Sequence, residues 1–215
     1  MIIKTKFVDI YFTENDLGYI DDLVLYINNN INIITDFFNI TDIDNSDKII
    51  LNLNSNYDKF KIENNFDNDY IVAFFARRNG INKIEALNLY EQNKSNAHKN
   101  DGLLELKKRL MHEIVHAFHR IYAKLSMRWL AEGLAQVLTN QFEYEDMCLS
   151  HSLDEIVKNE KLNNGDFYKD YYVLVNYLFN NYKKEQVLEI IKKYDLQENV
   201  LITIYGNIEN KRKSI

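Results

Sequence analysis

The chain contains no proline and only one cysteine in 215 residues. A single thiol, Cys148, forms no internal disulfide, so the fold does not depend on an oxidising compartment. Its surroundings, Glu143-Tyr144-Glu145-Asp146-Met147-Cys148, are acidic and predict a raised thiol pKa, which speaks against an activated nucleophile. No apolar run is long enough to span a bilayer. The opening Met1-Ile2-Ile3-Lys4-Thr5-Lys6-Phe7 lacks the apolar core and small-residue cleavage site of a secretory leader. The expectation is a cytoplasmic protein with no membrane partner. An excess of positive charge is missing too. Lys and Arg number 26 against 32 Asp and Glu, a formal net charge of −6, and the basic run Lys211-Arg212-Lys213 is short, so no nucleic-acid partner is expected. With proline absent, asparagine clusters such as Asn28-Asn29-Asn30 and Asn163-Asn164 are the expected markers of helix ends and turns.

Hydrophobic residues make up 46% of the chain, enough for the core of one compact domain. Aromatic and β-branched alternation predicts strands over 7–12 and 48–53. Between them, Leu17, Ile20, Leu23, Val24, Ile27, Ile31, Ile34 and Phe38 recur at three and four, which predicts a long amphipathic helix over 16–38. A loop over 41–47 and a short helix over 57–65 follow. Residues 70–76 read as a strand, Arg77-Arg78-Asn79-Gly80 as a tight hairpin turn, and 83–90 as the returning strand, with a helix as the alternative. After a polar loop over 92–102 the pattern turns helical. Helices are expected from 103 through Ile121 and over 127–142, 153–159, 167–182 and 185–194, with 198–205 ambiguous. The fold class is α+β: a mixed α/β lobe over 1–102 with a small mixed sheet, and a helical lobe over 103–215.

The first of these later helices carries His112-Glu113-Ile114-Val115-His116. Positions four apart share a helix face, so both imidazoles can reach one metal ion while Glu113, one step round, faces the water that the ion activates. Glu132 stands sixteen positions after His116, at the start of the next helix. It supplies a carboxylate as third ligand and leaves a fourth position for water. The reading is one zinc ion on His112, His116 and Glu132, with Glu113 as general base. His119 also lies near this face and is expected to line the pocket or to sit on the surface. The Gly and third His of the metzincin pattern do not follow it. His98 and His151, with no motif around them, are expected to face solvent.

Taken together, His112-Glu113-Ile114-Val115-His116-Ala117-Phe118 and Trp129-Leu130-Ala131-Glu132-Gly133-Leu134-Ala135 resemble the gluzincins, the HExxH metallopeptidases whose third zinc ligand is a Glu on a following helix. Peptidase MA-like domains and the large zinc aminopeptidases carry this pair. The resemblance implies a single gluzincin-like domain over 1–215, with its sheet packed on the HExxH helix, that hydrolyses peptide or protein substrates with metal-activated water. It also implies a tyrosine that donates to the oxyanion. Tyr168 stands nine positions before Tyr177, as in the aminopeptidase pattern, with Tyr171 or Tyr172 as alternatives. An edge strand that aligns substrate would be 70–76 or 83–90. Gln136 stands four after Glu132, where related enzymes place a partner for a ligating His. No exopeptidase box is visible, so aminopeptidase specificity is not implied. The alternative reading is a catalytically silent metal-binding domain that serves as a binding or regulatory module.

Overall fold

Nine α-helices and five β-strands account for most of the described chain, which in this computed structural model comprises residues 1–66, 70–141, 144, 146–162 and 167–213. The α+β class follows directly. No helix among these residues is long and apolar enough to cross a membrane. The chain divides into two units, Met1–Phe118 and His119–Ile215.

In the first unit five strands form one mixed sheet: β1 (Ile2–Lys4), β2 (Val8–Tyr11), β3 (Ile49–Asn54), β4 (Ala73–Arg78) and β5 (Ile81–Leu87). Their spatial order is β1-β2-β3-β5-β4, with β2, β3 and β5 parallel and the edge strands β1 and β4 antiparallel to their neighbours. Helix α1 (Ile20–Phe38) carries the β2-to-β3 crossover. Alternation sets the two faces of the sheet. Val8, Ile10, Ile49, Leu51, Leu53, Ile84 and Ala86 are buried. The opposite face carries polar pairs, Lys48 with Asp9 at 3.0 Å and Asn54 donating to Glu85 at 2.9 Å. A smaller cluster joins Phe60 of α2 (Tyr57–Asn64) to Val72 and Leu87.

Several expectations shift by a few residues. The strand expected from residue 70 begins at Ala73. The strand expected to reach residue 90 ends at Leu87 and turns into the short helix α3 (Leu89–Gln92), capped by the Asn88 side chain. The antiparallel edge β1 was not expected at all, because three residues are too few to show a period. Asn28-Asn29-Asn30 does not mark a helix end. It lies inside α1, where Asn30 donates to the Tyr26 carbonyl at 2.7 Å and the stripe from Ile20 to Phe38 carries the helix past it. The Asn163-Asn164 turn lies outside the described residues. Chain reversals do use asparagine elsewhere. Asn39, Asn65 and Asn140 end α1, α2 and the helix after the HExxH segment in the left-handed conformation, and Asn79 with Gly80 forms the hairpin turn.

Helix α4 (Leu103–Tyr122) begins where Glu105 accepts the Gly102 N–H at 2.9 Å, in the manner of a capping box. Lys107 on α4 pairs with Asp22 of α1 at 2.7 Å and lies over the Tyr26 ring, and Phe118 meets Phe7 edge-on at 5.6 Å. His98 is no solvent-facing residue. Its Nδ1 lies 2.8 Å from Asp101 and its Nε2 3.0 Å from the Tyr70 carbonyl, and Arg109 of α4 reaches the same Asp101. The loop before α4 is thereby pinned to the helix.

The second unit is helical: α5 (Arg128–Thr139), α6 (Leu153–Leu162), α7 (Tyr168–Asn181), α8 (Lys184–Lys192) and α9 (Tyr194–Lys213). The ambiguous 198–205 is part of α9. His151, expected in solvent, instead stacks on Phe167 at 4.0 Å and pairs with the fully buried Asp170 at 2.5 Å.

Asp16 fixes the entry to α1. Its buried carboxylate accepts from the Tyr19 hydroxyl at 2.6 Å and from the Thr13 N–H at 2.8 Å, and the Tyr19 hydroxyl in turn accepts from the Leu89 N–H. Asp16→Ala strands these donors and is expected to cost about 2–3 kcal/mol, measured by urea unfolding. A loss under about 0.5 kcal/mol would contradict the assignment.

Candidate metal centre

Burial all round the middle of α4 selects what the helix can hold there. Leu110, Met111, Ile114, Val115, Ala117 and Phe118 are buried, as in a helix enclosed on every side. Among them sit His112, Glu113 and His119, with exposures of 7%, 8% and 3%. His119 is therefore buried, which overturns the surface alternative. Buried polar groups are retained only with partners.

One helical turn brings His112 and His116 together. Their Nε2 atoms lie 3.0 Å apart and their rings meet edge-on at 4.7 Å. Two neutral imidazoles whose Nε2 atoms face each other are satisfied either by one shared proton or by a cation that takes both lone pairs. Glu132 on α5 completes the set. His112, His116 and Glu132 each offer one ligand atom, and these atoms lie within 4.8 Å of one another. Ligands held about 2.0–2.2 Å from a tetrahedral ion stand about 3.3–3.5 Å apart, so the spacing is of the right order. Two nitrogens and a carboxylate are also the donor set of a three-ligand zinc site. The group could hold a metal ion.

No family model matches the chain, and no curated protein matches it.

The local sequence explains how α5 presents Glu132. The linker Ala123–Met127 is short, and α5 starts with three hydrogen bonds to two side chains. Gln197 accepts the Met127 N–H at 2.6 Å, and Glu160 of α6 accepts the Arg128 and Trp129 N–H groups at 2.5 and 2.9 Å. These are orphan donors of a helix N-terminus, where a carboxylate is also favoured by the dipole. Gly133, next to Glu132, lies against α7 so closely that a Cβ there would come within 2.4 Å of the Tyr171 carbonyl oxygen and 2.5 Å of Val175. A glycine inside an otherwise helical pattern was the available signal for this approach. Glu160 gave no signal, because a cap supplied from another helix has no fixed spacing.

Gln136 takes a different role from the one expected. Its Nε2 donates to the Tyr168 carbonyl at 3.0 Å and its Oε1 accepts from the Tyr144 hydroxyl at 3.4 Å. The side chain therefore ties α5 to the first residue of α7 and does not serve an imidazole. Of the tyrosines considered as donors, Tyr171 is buried and its hydroxyl accepts from Asn159 at 2.8 Å, and burial pushes its pKa up to about 12. Tyr172 packs on Tyr144 at 5.1 Å, and Tyr168 is half-buried at the start of α7. Cys148 behaves as its neighbours imply, with Asp146 holding the thiol pKa above its usual value.

Two predictions follow from the support of α5. Burial raises the Glu160 pKa against the two backbone N–H bonds that lower it, and the Glu132 charge adds to the rise. An acid with a raised folded-state pKa favours folding most while protonated. Its contribution therefore falls as pH rises from the ordinary carboxylate range through the folded-state value. Relative to Glu160→Gln, the parent should lose stability as pH is raised through that window, read by urea unfolding at several pH values. A difference that stays flat or changes in the opposite sense rejects this role. Gly133→Ala forces α5 and α7 apart and should cost about 1–3 kcal/mol or more. If its thermal midpoint matches the parent's, the close approach is not a constraint.

Proposed function

We propose that this chain is a zinc-dependent metallopeptidase of the gluzincin type. The observation that carries the reading is the convergence of His112, His116 and Glu132, with ligand atoms within 4.8 Å, around a helix that also bears Glu113. Zinc bound there supplies a Lewis acid and brings the pKa of a coordinated water to about 7.

The remaining chemistry belongs to the chain. Both imidazoles act as neutral donors through the Nε2 atoms that face each other. Glu113 follows His112 directly and is turned about 100° from it around α4, which supports a role toward the water over one in the ligand set. Glu113 accepts the proton of the attacking water and passes it to the departing amine. Because Glu113 is buried, competing bulk water has little access to it. Tyr168 is the proposed oxyanion donor, with its backbone held by Gln136. Among the described residues β4 is an edge strand, whose N–H and C=O groups a peptide or protein substrate can pair with as an added strand.

Metal analysis of purified protein should find about one zinc per chain, and Glu132→Ala should weaken zinc by at least about 100-fold. Glu113→Gln should keep the zinc and cut chelator-sensitive peptide cleavage by about 10³-fold. Zinc uptake with no cleavage of any peptide in a library points instead to a silent metal-binding module. Failure to take up zinc, or cleavage that survives Glu113→Gln, removes the proposal.

A further inference from the structure

A groove of about 600 Å³ lies wholly within the second unit, where α7, the last turns of α9 and the segment 147–149 meet. This volume falls within the range of small-molecule sites, about 300–1,000 Å³. Among the described residues its apolar lining comes from Met147, Leu149, Val173 and Ile208. Leu149 and Val173 are almost fully buried, at 7% and 3% exposure. The groove thus opens onto the core of the unit and is more than a surface furrow.

The charged residues described in its lining are mainly basic. Among the described residues, Lys211 and Arg212 of α9 both line it, against Glu209. Lys211 lies over the Tyr177 ring at 5.1 Å, and Arg212 stands 3.7 Å from Glu209 with its side chain 60% exposed. Neither contact is a short hydrogen-bonded pair, so both cations can turn to an incoming anion without breaking a strong bond. The nearby Asp146 is paired with Lys169 at 3.0 Å and adds no net charge. A mainly apolar trough whose lining includes two cations suits a ligand with an aliphatic body and an anionic head.

We propose that this groove binds a medium-chain aliphatic carboxylate, with its chain along Met147, Leu149, Val173 and Ile208 and its carboxylate at Arg212 and Lys211. The site stands independently of the metal centre. No covalent step is involved.

Cys148 lines the groove and is the only cysteine of the chain, so its alkylation by N-ethylmaleimide reports occupancy without engineering. Labelling would be timed with octanoate, decanoate, 1-decanol and decylammonium, each below its micellar concentration, with calorimetry on the same protein as a direct measure. Decanoate should slow labelling saturably. Two fewer methylenes should weaken binding about 15-fold, since each buried methylene contributes about fourfold. Decanol should bind more weakly than decanoate, and decylammonium more weakly still. Replacing both rim cations, Lys211→Gln with Arg212→Gln, should abolish the preference for decanoate over decanol. Asn176→Phe, at a half-buried lining position, should remove protection by every chain while the thermal midpoint is retained. The proposal is overturned if decanoate shows no saturable binding by either measure. It is equally overturned if decylammonium binds as well as decanoate, or if the double charge variant keeps the preference.

Discussion

Two imidazole nitrogens 3.0 Å apart in a buried turn of helix set the terms for the rest of this molecule. Helix geometry forces side chains four apart onto one face, and the apolar residues around them leave the rings little freedom to separate. Two imidazolium cations at that distance would repel strongly in such surroundings. A divalent ion would relieve this by taking both lone pairs, and the Glu132 carboxylate, whose ligand atom lies within 4.8 Å of theirs, would offset part of its charge. The chemistry proposed for the chain starts from this electrostatic condition.

Meeting the condition depends on how firmly the two helices are held. In the first unit α4 is tied down by the Lys107–Asp22 pair, by Phe118 against Phe7, and by Arg109 through Asp101 to the preceding loop. In the second unit α5 is short and depends on others. Glu160 and Gln197 satisfy its first N–H groups, Gly133 lets α7 come close, and Gln136 binds the start of α7. The half-buried carboxylate of Glu160 works against its own desolvation to do this. The cost falls one turn before Glu132, where a fixed helix start is worth most.

Much of the fold was legible where a period was long enough to register. The stripe of α1, the alternation of β3 and the Asn79-Gly80 turn fall within a few residues of expectation. The three-residue β1 and the four-residue α3 show no period and were missed. At the site, the approach of His112, His116 and Glu132 was legible in part, because positions four apart on a helix share a face. His98 and His151 were misread for the opposite reason. The Tyr70 carbonyl and Asp170 reach them from residues far along the chain, and single-sequence patterns carry no information about such pairs; Asp101, three residues after His98, is a local partner. Gln136 was misjudged because a position four after a ligand says which face a side chain occupies but not which neighbour arrives there.

The asparagines at the chain's corners have a thermodynamic consequence. Asn39, Asn65, Asn79 and Asn140 take the left-handed conformation that glycine adopts without strain. Each costs the native state a little that glycine would not. Each also narrows the denatured ensemble, because a residue with a Cβ samples fewer backbone states than glycine does. A polypeptide without proline forgoes one common means of stiffening its disordered form. Asparagine at these reversals recovers part of that stiffness, so less conformational entropy is surrendered when the molecule folds.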